Sequence, residues 1–225
     1  MTDMADVDRL WLHTGRGVRA SWATVAQLVV PDVSTYQGAV DWGVLAAAGY
    51  PAAIIRASYG STGVDDRYAA NRAGADAHLE VVGYYHYLTG WRDPVVQAAH
   101  FADVVGSIDP AREWVICDVE EGGPDALTRA DTFVSAVRAR LGGTVWEYSY
   151  VSFIRARHRT SIDWLAAYGG TEPSETHTLW QFDDAHIFPG IAGPCDASLF
   201  HGTAQDLQAL IAGSNDMPLS DADLN

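Results

Sequence analysis

VVGYYHYLTGWRDPVVQAAHFADVVGSIDPAREWVICDVE, residues 81–120, is the stretch on which the fold turns. Its two ends, VVGYYHYL (81–88) and EWVICDVE (113–120), are short runs rich in β-branched and aromatic residues, the composition of strands. Between them the amphipathic segment DPVVQAAHFADVVGSI (93–108) opens with Asp then Pro, an N-cap and first-turn pair that starts a helix. Strand, helix and strand at this spacing make a right-handed βαβ unit with parallel strands.

The same rhythm extends in both directions. QLVVPDVS (27–34), AAIIRAS (52–58) and TVWEYSY (144–150) read as further strands, and 40–49, 65–79 and 124–143 as the helices between them. After residue 150 the spacing shortens. A basic segment, FIRARHR, precedes three strand-like runs, DWLAAY (163–168), HTLWQFDD (177–184) and GPCDASLF (193–200), too close together for long helices. Five helix-linked strands plus three short-linked ones make eight, the number that closes a barrel filled by side chains. The fold class expected is α/β: an irregular, TIM-barrel-like, parallel eight-stranded β/α barrel over 27–213. Residues 205–213 form its terminal helix, 1–26 an N-terminal extension, and 214–225 an acidic tail or linker.

Composition narrows the function. In a chain of 225 residues, 48% hydrophobic and 19% charged, a sizeable core is expected. All 14 cations are arginine, and against 29 acids they leave a net charge of −15. Such a surface repels a phosphate backbone, so nucleic acid is not an expected partner. No apolar run approaches the ~20 residues of a membrane span, and the N-terminus has no apolar signal core, so no membrane insertion is expected. The two cysteines form no C-x-x-C pair and the eight histidines no H-E-x-x-H or H-x-H spacing, so no metal or cofactor is expected. Nothing in the sequence calls for an oligomer, and a monomer is expected.

In a parallel barrel the reactive groups gather where the strands end. Asp32 lies near the end of the first strand, Asp118 and Glu120 finish the fourth, and Asp196 lies within the last. Residues i and i+2 of a strand share a face, so Asp118 and Glu120 enter one mouth. Crowded carboxylates repel, which raises at least one pKa and supplies a general acid near neutral pH. Tyr36, Tyr85, Trp146, Tyr148, Trp164 and Trp180 fall near strand ends, where flat rings stack on sugar faces. Acids ringed by aromatics point to glycoside hydrolysis. His86 alternates with Tyr85 and Tyr87 and is read as a core histidine. Cys117 and Cys195 precede Asp118 and Asp196 and turn away from the pocket. Asp183 and Asp184 are expected to begin a loop.

DVSTYQGAVDW (32–42), IIRAS (54–58), GYYHYL (83–88), VICDVE (115–120), LWQF (179–182) and GPCDASLF (193–200) together resemble, in order, the motifs of family 25 glycoside hydrolases, the Chalaropsis-type lysozymes. The resemblance runs from about residue 29 to 212 and implies a barrel of eight strands and five helices. It implies N-acetylmuramidase activity on bacterial peptidoglycan, with Glu120 as general acid, Asp118 orienting the substrate acetamido group as internal nucleophile, and Asp32 and Asp196 completing the pocket. Arg56 stands where the family often has lysine. Trp146 stands where the family's fifth strand usually offers tyrosine, with Tyr148 on the same face in its stead. Substrate contacts are then expected from Tyr36, Arg56, Tyr85, Trp146, Tyr148, Trp164, Trp180 and Gln181. A wall-binding barrel without turnover and a chitinase are the alternatives. A phage-encoded lysin released to the cell wall, or a secreted enzyme whose signal lies outside this sequence, is the expected setting.

Overall fold

The computed structural model describes residues 26–213; the expected extension, up to residue 25, and the expected tail, 214–225, lie outside the described residues. In chain order the elements are β1 (Leu28–Val33), a 3-10 turn (Thr35–Gln37), α1 (Trp42–Ala47), β2 (Ala52–Tyr59), β3 (Gly63–Val64), α2 (Tyr68–His78) and β4 (Val81–Tyr87). There follow α3 (Pro94–Val105), β5 (Glu113–Asp118), α4 (Ala126–Leu141), β6 (Val145–Tyr150), α5 (Val151–Arg155), β7 (Trp164–Ala166), β8 (Leu179–His186), β9 (Cys195–Phe200) and α6 (Ala204–Ile211). The sequence signals act as expected at several ends. Asp93 caps α3 through its side chain to the Val95 N–H with Pro94 in the first turn, and Thr203 and Asp206 form a reciprocal capping box on α6.

Eight of these strands close a ring in the order β1-β9-β8-β7-β6-β5-β4-β2, with β2 pairing back onto β1. β3 is a two-residue antiparallel addition to β2 outside the ring. From β1 through β2 and β4 round to β8 every neighbouring pair is parallel. β9 runs antiparallel to both β8 and β1, which corrects the all-parallel expectation. The reason is the connection: residues 187–194 are too few for a parallel crossover, which needs about a dozen residues or more, but suffice to turn a hairpin. A sixth helix, α5, and the β3 hairpin were also not anticipated. Asp183 and Asp184 belong to β8 itself, which runs on past its bulges into the hairpin with β9, so no loop begins there.

Alternation sorts the core into two layers. Inward residues including Val30, Ile54, Tyr85, Trp114, Ile116, Trp146, Tyr148, Trp164 and Leu179 fill the barrel, and Ala204, Leu207 and Ile211 of α6 join that cluster at the end where the strands begin. Outward residues including Ile55, Val82, Tyr84, Val115 and Cys117 pack against Phe101 of α3 and Phe133 of α4. His86 lies in this outer layer, fully buried, sharing a hydrogen bond with Ser58 Oγ (2.8 Å) and stacked on Phe133. Burial pushes its pKa down to about 3, so it stays neutral.

The interior has no spare volume beside Trp114. Gly83 is its register partner on β4, and a Cβ at Gly83 would lie 2.7 Å from the indole. Gly83→Ala therefore overpacks the barrel and is expected to cost about 1–3 kcal/mol. A fall in the urea midpoint at constant slope is the expected readout, and an unchanged midpoint would show that the barrel can relax around the methyl.

Candidate active site

Four carboxyls meet at the rim where the parallel strands end. Asp32, next to last in β1, and Asp118, last in β5, are both buried. Glu120 lies two residues past the end of β5, not within it, and hydrogen-bonds Asp118 through its side chain. Asp196 is the second residue of β9 and stands directly opposite Asp32 in the antiparallel register, so their side chains share one face. The reversal of β9 brings its beginning to the rim.

A hydrogen-bonded relay fixes the Asp32 side of the pocket. Tyr148 on β6 and Tyr168 after β7 both donate to Gln181 Oε1 (2.7 Å each), and Gln181 Nε2 donates to Asp32 Oδ2 (2.6 Å). With its carbonyl saturated by two hydroxyls, the amide can present only its N–H₂ to the aspartate. On the other side, Asp118 Oδ1 is buried with no hydrogen-bond partner among the described residues.

The floor and walls are aromatic. Tyr85 and Tyr148 pack on Trp164, ring centroids 6.4 and 4.3 Å away, and Trp164 Nε1 donates to Ser198 Oγ (2.9 Å). Arg56 on β2 is held by Asp65 (Nε to Oδ2, 2.8 Å) and lies over the ring of Tyr36, which is 83% exposed. Tyr36, Arg56 and Asp65 line a cleft of about 500 Å³ with Tyr59, Tyr87 and Thr89.

Two expected substrate contacts are placed elsewhere. Trp146 lies one inward position below Tyr148, buried against Trp114 (5.4 Å) in the barrel interior. Trp180 neighbours Gln181, and since Gln181 points inward, alternation sends the indole to the outer face, where Nε1 bonds the Ala167 carbonyl. Tyr168, Asp65 and Glu121 escaped the sequence reading. Tyr168 was legible in principle, because it shares parity with the inward Trp164.

The profile of the glycosyl hydrolases family 25 matches residues 31–191. The chain belongs to that family. It is 26% identical over 178 residues to the autolytic lysozyme of Clostridium acetobutylicum, covering 75% of this chain and 54% of that protein. To lysozyme M1 of Streptomyces globisporus it is 26% identical over 204 residues, covering 80% and 69%. The chain thus spans about half the length of the clostridial relative. Among solved structures, the bacterial lysozyme from Streptomyces coelicolor aligns with TM-score 0.73 at 25% identity, over 83% of this chain and 98% of that one. The catalytic domain of endolysin ply40 from bacteriophage P40 of Listeria monocytogenes aligns with TM-score 0.71 at 24% identity, over 84% and 98%. Membership makes this chain a glycoside hydrolase.

In this family 25 hydrolase all four carboxyl pKa values are raised. Burial is the largest cause throughout, reinforced by Asp196 for Asp32 and by Glu120 for Asp118. Asp196 is pushed up to about 6 by burial and then by Asp184, Glu120 and Asp183. Two carboxyls in hydrogen-bond contact are best served by one shared proton, so the Asp118–Glu120 pair titrates as a unit. Among the described residues no group of three or more His, Cys, Asp or Glu is arranged to hold a metal ion.

The raised values set a sign for stability. Between the usual 3.8 and about 6 the folded Asp196 holds a proton that the unfolded chain has released, so stability declines as pH rises through that window. Asp32, Asp118 and Glu120 add in the same direction. The melting temperature of Asp196→Asn is expected to fall less steeply between pH 4 and 6 than that of the native chain; parallel curves would show that Asp196 titrates normally.

Proposed function

We propose that the chain is an N-acetylmuramidase that hydrolyses the β-1,4 bond between N-acetylmuramic acid and N-acetylglucosamine in bacterial peptidoglycan. The observation that carries this reading is the buried Asp118 hydrogen-bonded to the half-buried Glu120 at the mouth of a closed barrel floored by Tyr85, Tyr148 and Trp164. The lysozymes among its relatives support the same substrate.

Glu120 is the general acid. It is the less buried member of the pair, and burial raises its pKa above the usual carboxylate range, the direction a general acid for the departing glycosidic oxygen needs. Asp118 orients the 2-acetamido group: its unpartnered Oδ1 can accept the amide N–H, which aligns the acetamido oxygen on the anomeric carbon. That oxygen attacks as the C–O bond breaks and Glu120 delivers its proton to the leaving sugar. A water then opens the resulting oxazolinium ring from the vacated face, returns a proton to Glu120, and retains the anomeric configuration. Asp32, held by the Gln181 relay, and Asp196 supply negative potential beside the developing positive charge. Tyr36, Arg56, Tyr85, Tyr148 and Gln181 contact the sugar from the rim and floor, with Trp164 beneath. Trp146 and Trp180 act through packing. The enzyme acts at the cell wall, released or exported to reach it.

Incubation of the native chain and Glu120→Gln with purified peptidoglycan tests this. Reduction and mass spectrometry of the products are expected to show new muramic-acid reducing ends from the native chain, with a rate at least ~100-fold lower for the variant. Glucosamine reducing ends, or cleavage of chitin in preference, would point to a different glycosidase. An intact glycan beside a positive control would sink the proposal.

A further inference from the structure

Among the described residues, Trp91 is a large aromatic at the barrel mouth that neither the core nor the carboxyl pocket uses. It is 73% exposed, on the loop that leaves β4 at the rim where Asp118 and Glu120 stand. An indole held in water offers a flat face on which a ligand ring can stack, and the backbone that carries this one is fixed from two sides. From α3, the fully buried Gln97 accepts from Thr89 N (2.9 Å) and Thr89 Oγ1 (3.0 Å) and donates to the carbonyls of Thr89 (3.0 Å) and Arg92 (3.1 Å). Arg129 of α4 also donates to the Arg92 carbonyl.

From the other side, Glu121, the residue next to Glu120, accepts Gly90 N at 2.9 Å. Gly90 packs so closely on Gly122 that a Cβ would lie 2.6 Å from the Gly122 Cα, so only glycine allows the two loops to meet. Glu121 also lies near enough to Tyr87 to help burial raise its hydroxyl pKa, and Tyr87 lines the rim cleft beside Thr89. The wall Tyr87–Thr89 therefore continues to Trp91, and the loop that presents the indole is tied to the loop that carries Glu120. A pinned platform binds without the cost of ordering a loop.

Resting on the muramidase reading, we propose that Trp91 is a stacking platform for an N-acetylhexosamine ring of the glycan strand lying outside the carboxyl pocket. The flat C–H face of the pyranose covers the indole while its hydroxyls remain in water. Trp91 thus acts in binding the strand and not in the bond-breaking step.

Steady-state release of reducing ends from purified peptidoglycan by the native chain, Trp91→Ala and Trp91→Phe, together with co-sedimentation of each with the same walls, tests the assignment. An exposed stacking contact predicts KM raised about 3- to 10-fold in Trp91→Ala with kcat within about 2-fold, a matching loss in co-sedimentation, and recovery of most of both in Trp91→Phe. Unchanged KM and co-sedimentation in Trp91→Ala would overturn the platform, as would a fall in kcat at constant KM or a Trp91→Phe as weak as Trp91→Ala. Should the native chain release no ends, it is the muramidase reading that fails, and the co-sedimentation series still decides whether Trp91 grips the glycan.

Discussion

The direction of β9 governs the site. This strand closes the ring by inserting between β8 and β1 in antiparallel sense, and its start, not its end, therefore lies at the rim. Had β9 run parallel, Asp196 would sit at the opposite end of the barrel with α6. The turn over 187–194 leaves it opposite Asp32 instead. Like charges directly opposed across strands are unfavourable, so this pairing stands only because the strands on both sides are held in register by the whole ring. Repulsion from Asp196 adds to burial in raising the Asp32 pKa.

The same electrostatics separates the four acids into two kinds. Asp32 is tied down: its Oδ2 receives the Gln181 amide, whose carbonyl is filled by the Tyr148 and Tyr168 hydroxyls, and that bond favours the charged form against burial. Asp118 is left open. Its hydrogen bonding runs to Glu120, and among the described residues Oδ1 has no partner. A buried acceptor without a donor costs about 1–3 kcal/mol, a cost that a ligand N–H would relieve. One side of the pocket is thus held in place by donors, and the other waits for one.

Most of the architecture was legible because parallel βαβ units write their period into the chain. The strands over 81–88 and 113–120 and the Asp-Pro start of α3 fall where the pattern placed them, the strand starts matching and the strand ends falling one and two residues short. The direction of β9 was not, since a strand's composition carries no sense of direction, although the short turn before it did. Trp180 and Gln181 illustrate a limit of counting aromatics: adjacent residues cannot both face the pocket, and the relay to Asp32 chose the glutamine. Trp146 has the inward parity expected from its spacing to Tyr148, but depth along the strand follows from register with Ile116 and from contact with Trp114, which only the fold reveals. Glu120 lies past the strand end, yet the two carboxyls still meet.

Arg56 completes the charge balance. It lies on the inward parity of β2, and its positive charge pulls the pKa values of Asp32 and Asp118 down, though burial and neighbouring acids outweigh it. A bare guanidinium there would draw protons off the pocket. Asp65, its side chain fully buried, prevents this by bonding Arg56 Nε with the same oxygen, Oδ2, that receives the Thr35 N–H. One carboxylate thereby joins the loop after β1 to the segment after β3 and spends much of the Arg56 charge locally. The guanidinium keeps its place between the rings of Tyr36 and Tyr59, 5.1 and 5.9 Å from their centroids, as part of a nearly neutral wall. The charge that faces the carboxyls from this side is therefore set by Arg56 and Asp65 together.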